Sequence, residues 1–200
     1  MRSTPGLSAA VAAASLAGCA AVTPPPREVQ DRAATAERYA ASLRVSVSAG
    51  ALRGRTAVLV GFERPDSLRI EIPGGVGPRL VLTARGGRLI AVFPPERAFH
   101  QGDATPERAE AILGVGLSPE EIMDLLVGRP PQRLVSCRVR WGPLAPKRVE
   151  ADLPNGGRLR ISADDIDLGR RFGASVFEEP PHTGYRELNE AEVRQLWGSR

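Results

Sequence analysis

From Leu43 to Phe93 the apolar residues of this chain recur at every second position, and that period restricts the fold more than any other feature of the sequence. Leu43, Val45, Val47 and Ala49 alternate with Arg44, Ser46 and Ser48, as a half-buried strand requires. Gly50 to Gly54 reads as a break, and Thr56 to Glu63 follows, apolar on both faces and therefore central in a sheet. Arg64-Pro65-Asp66-Ser67 is a turn, after which Leu68, Ile70 and Ile72 alternate with Arg69 and Glu71. A longer loop spans Pro73 to Pro78. Leu80, Leu82 and Ala84 alternate next, Gly86-Gly87 is a hairpin signal, and Leu89 to Phe93 is a further strand. Hairpins in sequence make an antiparallel meander with one aliphatic face and one arginine-rich face. The expected class is mainly β (α+β), a curved antiparallel sheet with short helices over its concave face.

Two helices interrupt the strands. Thr105-Pro106-Glu107 supplies an N-cap with proline at the first helical position, and Ala109, Ile112 and Leu113 share one face before Gly114. Ser118-Pro119-Glu120-Glu121 forms a capping box, with Ile122, Leu125 and Leu126 on one face and Gly128 as the terminator. Val135, Cys137, Val139 and Trp141 then resume the alternation. Lys147 to Leu153 and Arg158 to Ser162 flank the Asn155-Gly156 hairpin signal. Phe172, Val176 and Phe177 suggest a last strand, and Asn189 with Glu192 caps a short C-terminal helix carrying Val193, Leu196 and Trp197. No internal repeat or second domain is visible.

The N-terminus decides where such a domain works. An uncharged apolar run from Leu7 to Leu16 follows Arg2, which reads as a secretory signal too short to span a bilayer. It ends in Leu16-Ala17-Gly18-Cys19, which resembles the lipobox of bacterial lipoproteins. That resemblance implies cleavage before Cys19 and a covalent lipid on its thiol, the only non-protein group expected. Several acyl chains hold a protein on a membrane without a span, at about 0.8 kcal/mol per buried CH₂. The chain then divides into a signal peptide (1–18), a tether and short helix (19–41), and one domain (42–200). The tether contains Pro24-Pro25-Pro26, which favours an extended spacer, and Glu28 to Ala41 reads as a short amphipathic helix. Ala20 after the cysteine implies, by the same resemblance, the outer membrane.

Catalytic chemistry is sparse. The histidines are His100 and His182, both in polar, turn-rich sequence, and neither accompanies a metal pair, a nucleophile elbow or a phosphate loop. His100 beside Asp103 reads as an exposed loop histidine rather than a base. Asp164-Asp165-Ile166-Asp167 lacks the glycine and closing glutamate of a calcium loop and reads as a solvated turn. No catalytic residue and no metal site are expected, and the chain is read as no enzyme. The formal charge is +4, almost all of it arginine, Lys147 being the single lysine. With so much Ala, Gly and Pro this is a compositional bias, not a nucleic-acid footprint. At most it favours anionic membrane surfaces. Cys137 lies on the apolar face of its strand, and with Cys19 lipidated no disulfide forms within the chain.

A lipobox, strands containing Phe62-Glu63-Arg64-Pro65-Asp66-Ser67-Leu68-Arg69, and paired helices with Leu117-Ser118-Pro119-Glu120-Glu121 and Leu125-Leu126-Val127-Gly128-Arg129 resemble the LolB-like group of the LolA/LolB lipoprotein-carrier superfamily. The likeness covers Leu43 to Ser162. It implies an incomplete β-barrel whose apolar concave face, covered by helices, holds the acyl chains of other lipoproteins. A lipidated member resembles the outer-membrane receptor, facing the periplasm, taking cargo from a soluble LolA-like carrier and acting as a monomer. Ile112, Leu113, Ile122, Leu125 and Leu126 would line the inside of the lid, and Val76, between Gly75 and Gly77, would be the membrane-facing loop residue. The rival expectation is a structural or assembly lipoprotein of the same fold with a filled core and no cargo.

Overall fold

The computed structural model describes residues 26–49 and 52–198. Six strands pair antiparallel in chain order: β1 (Arg38–Ala49), β2 (Leu52–Glu63), β3 (Ser67–Pro73), β4 (Pro78–Arg85), β5 (Arg88–Phe93) and β6 (Ala98–Asp103). A second meander, β7 (Ser136–Trp141), β8 (Pro146–Asp152) and β9 (Arg158–Asp167), joins the first where β9 pairs antiparallel with β1. The two residues of β10 (Arg186–Glu187) lie parallel to β6. The result is one open sheet in the order β10-β6-β5-β4-β3-β2-β1-β9-β8-β7, mainly β as expected.

The registers carry the alternation from strand to strand. Leu43 lies opposite Val58, Val60 opposite Ile70, Ile70 opposite Leu82, and Leu82 opposite Ala91. Because one slip would turn every side chain over, this matching gives the sheet a continuous aliphatic face. Four helices accompany it: α1 (Arg27–Ala34), α2 (Pro106–Leu113), α3 (Pro119–Leu126) and α4 (Glu190–Gly198). β6 and β7 lie toward opposite ends of the strand order, so the connection carrying α2 and α3 has to cross the sheet. It crosses on the aliphatic side, where Ile112, Leu125 and Leu126 are buried. A sheet with one greasy face must cover it, and this crossing does so.

The other face is covered by the chain after β9. Phe172 lies against Gly61, where a Cβ would stand 2.9 Å from its ring, and packs edge-on to Phe177 with centroids 4.9 Å apart. An Arg69 guanidinium N–H donates to the carbonyl of Val176 at 3.0 Å. The His182 ring packs tilted against Phe99, centroids 4.4 Å apart, β10 follows along β6, and α4 then reaches the helix side, its Glu190 beside Arg108 of α2. This strap explains why Val81, Ile90 and Val92, on the face expected to be polar, are buried.

Several boundaries differ from the sequence reading. The helix expected to run to Ala41 stops at Ala34, and Arg38 to Ala41 already belong to β1, paired with the far end of β2. Gly54 sits inside β2, not in a break. Asp164 to Asp167, read as a turn, extend β9; Asp165 pairs with Ser42, and Asp164 forms an ion pair with Arg44. The expected strand at Phe172–Phe177 is a 3-10 turn at Ala174–Phe177, because it lies over the sheet face and not along an edge.

Candidate apolar binding cavity

Between the sheet and the two crossing helices lies a cavity of about 480 Å³. The wall from the sheet follows the in-facing alternation: Leu43 and Val45 of β1, Val58 and Val60 of β2, Ile70 and Ile72 of β3. Leu159 and Ile161 of β9 close one side. The helices contribute Ile112 and Leu113 from α2 and Ile122, Leu125 and Leu126 from α3, with Val115 and Leu117 from the link between them. All five helix residues singled out by their spacing therefore face one space. Its volume falls within the ~300–1,000 Å³ usual for sites that take small ligands.

Local chemistry holds the helices in place. Thr105 caps α2 by accepting from the Arg108 N–H, and Gly114 ends it in the left-handed conformation at φ 71°. Ser118 and Glu121 make a reciprocal capping box, Ser118 Oγ accepting from the Glu121 N–H at 3.2 Å and the Glu121 carboxylate from the Ser118 N–H at 2.8 Å. At the other end of α3 an Arg64 guanidinium N–H donates to Asp124 at 2.6 Å, and Arg129 to the same oxygen at 2.5 Å. Arg64 belongs to the turn between β2 and β3, so this pair clasps the helix to the sheet. Partial burial by itself would raise the Asp124 carboxyl. The hydrogen bonds and charges of Arg129 and Arg64 outweigh it and hold the group below the ordinary carboxylate range.

Sequence reasoning passed over the mouth of the cavity. Arg55 of β2 and Arg79 of β4 are part of its lining, with Gly54 and Thr56 beside them. Their positions on strands that otherwise alternate regularly offered no signal, because an exposed arginine is the default outer residue of a strand. Among the described residues the lining contains no carboxylate. A second, smaller depression of about 310 Å³ lies outside, between the sheet and the strap, bounded by Arg85, Arg88, Glu178 and Glu179.

Val76 projects fully into solvent at the tip of the β3–β4 loop, with 102% relative exposure. The registers Leu59 to Glu71 and Ile72 to Leu80 put this loop at the same end of the sheet as the first residues of β2 and β4, hence beside Arg55 and Arg79. His100 is not the exposed loop histidine expected. It lies on β6 opposite Ala91, is buried, and makes a 2.7 Å hydrogen bond between Nδ1 and the carbonyl of Leu188. It joins the strap's end to the sheet. Cys137 is half-buried on β7, where burial pushes its thiol up. Among the described residues no cluster of His, Cys, Asp and Glu could hold a metal, and no helix is long and apolar enough to cross a membrane. Leu16, Ala17, Gly18 and Cys19 lie outside the described residues.

No family model matches the chain, and no curated protein matches it. Among solved structures it is similar to an uncharacterized conserved protein from Thermus thermophilus, at 8% identity and a TM-score of 0.48, over 81% of this chain and 97% of that one.

Proposed function

We propose that this protein is a lipid-anchored envelope lipoprotein that binds acyl chains between its sheet and helices α2 and α3, and that it receives other lipoproteins and inserts them in the outer membrane, as a LolB-like receptor would. The observation that carries the reading is the cavity itself: about 480 Å³ of space walled by aliphatic side chains from four strands and two helices. Burying an acyl chain there is favourable by about 25 cal/mol per Å² of apolar surface removed from water, without a directional partner or a nucleotide. Transfer would run by complementarity, from a carrier's pocket into a more apolar one here. The lipobox at Cys19 supports the anchor, and fully exposed Val76 supports a loop that touches the bilayer as cargo leaves.

The test is native mass spectrometry with lipid extraction on the chain from Ala20 onward, which contains the whole sheet and core. Co-purified phospholipid or lipopeptide is expected. Replacing Leu125 and Leu126 by aspartate should abolish it, and Leu113→Arg, at a half-buried position, should do the same in a variant whose fold is checked by circular dichroism. A clean ligand-free mass, with no saturable uptake of a fluorescent fatty acid, would sink the proposal and leave an assembly role through surface contacts. Val76→Glu should leave acyl uptake unchanged while slowing delivery of bound lipoprotein to vesicles; equal delivery would remove the loop from the mechanism.

A further inference from the structure

Many of the described arginines have a carboxylate partner. Arg38, Arg44, Arg64, Arg69, Arg129 and Arg133 each pair with one on the same or a neighbouring element. Arg55 and Arg79 belong to the rest, and their position sets them apart. Among the described residues no carboxylate lies within ion-pair distance of either, yet both take part in the lining of the apolar cavity. They stand on β2 and β4, at the end of the sheet where β3 runs out and the Val76 loop begins. Gly74 makes room for one of them: a Cβ there would stand 2.7 Å from Cγ of Arg79, so the arginine stem passes over the bare glycine. Two exposed arginines at the edge of an otherwise uncharged, mainly aliphatic lining make the site amphipathic.

We infer that the cavity takes an amphiphile with an anionic head, its chain among the aliphatic residues and its carboxylate or phosphate at Arg55 and Arg79. This rests on the acyl-binding reading and goes beyond its lipoprotein cargo to free anionic lipids. A neutral acyl group would fill the apolar wall and leave both arginines without a partner. An anionic head would add charge-assisted hydrogen bonds, and the planar guanidinium suits both carboxylate and phosphate geometry. The mouth remains open to water, so the contribution is screened by salt and acts as selectivity over an affinity supplied by the chain.

The experiment uses the full chain carrying Cys19→Ser, which removes the acylated thiol. Four probes of one saturated chain length are titrated below their critical micelle concentrations: a fatty carboxylate, a single-chain phosphate monoester, an uncharged monoglyceride and an alkylammonium. Both anions should bind about tenfold tighter than the monoglyceride, and the alkylammonium weaker still. The double variant Arg55→Gln, Arg79→Gln should erase that difference while leaving the monoglyceride affinity unchanged, whereas Lys at both positions should retain most of it. Raising salt should compress the preference in the wild-type chain, a readout that needs no variant to fold. The two anions compared with each other identify the head: a phosphate preference points to phospholipid, a carboxylate preference to free fatty acid. Equal binding of all four probes overturns the inference and leaves acyl binding standing. No binding of any probe overturns the acyl-binding reading itself. Displacement of the fatty carboxylate by inorganic phosphate alone at the same concentration overturns the inference too, since the chain would then contribute nothing.

Discussion

At Asp124 two arginines from different parts of the chain meet one carboxylate oxygen, and this contact joins the covering helices to the sheet. Its carboxyl is held below its ordinary value, so the folded-state pKa lies under the unfolded one. The stabilisation is therefore complete above the ordinary value of about 3.9 and is lost as the pH falls through the lower, folded value. Asp124→Asn should cost about 1–2 kcal/mol at neutral pH and flatten the acid limb of a stability–pH curve. An acid limb unchanged by the substitution would show that other carboxylates carry it. The capping residues Ser118 and Glu121 and the glycine after α3 were legible one by one, because each acts through its immediate chain neighbours. His100 was not: its burial depends on Leu188, brought beside it only by the strap. Nor were Arg55 and Arg79, whose significance depends on what lies behind them.

Among the elements, α3 depends most on local chemistry and least on length. Its eight residues are too few for an isolated helix to be stable, so the capping box and the apolar face have to act together. Ser118→Ala should lower the unfolding free energy by about 1 kcal/mol, read by thermal or denaturant melting, and should speed release of a bound acyl chain. Unchanged release with the stability loss present would show that α3 does not move when the cavity empties. The N-terminal helix shows the opposite balance. Ala33, Ala36 and Ala40 lie at helical spacing, yet Tyr39, Ala41 and Leu43 also alternate, and the second pattern prevails from Arg38. Helix propensity differs by tenths of a kcal/mol per residue. Pairing with Phe62 and Gly61, and stacking of Tyr39 on Phe62 at 5.2 Å, exceed that once β2 is in place.

For the fold taken together, the decisive question is whether the space under the helices tolerates filling. Val45, half-buried and lining the cavity, is the position to test. In an open cavity, Val45→Trp should leave stability within about 1 kcal/mol of the parent and weaken acyl binding at least tenfold; in a packed core it would cost about 1–3 kcal/mol. Melting and binding measured on the same variant separate the two. From residues alone came the strand alternation, the hairpin order, both helix caps and the five helix residues that meet at the cavity. These are legible because periodicity and capping are properties of neighbouring positions. The joining of β9 to β1, the strap over the outer face, the burial of His100, and the cavity with two arginines at its mouth came only from the folded chain. Each depends on residues far apart in sequence approaching one another, and the volume left between packed surfaces depends on their separation, which no local pattern encodes.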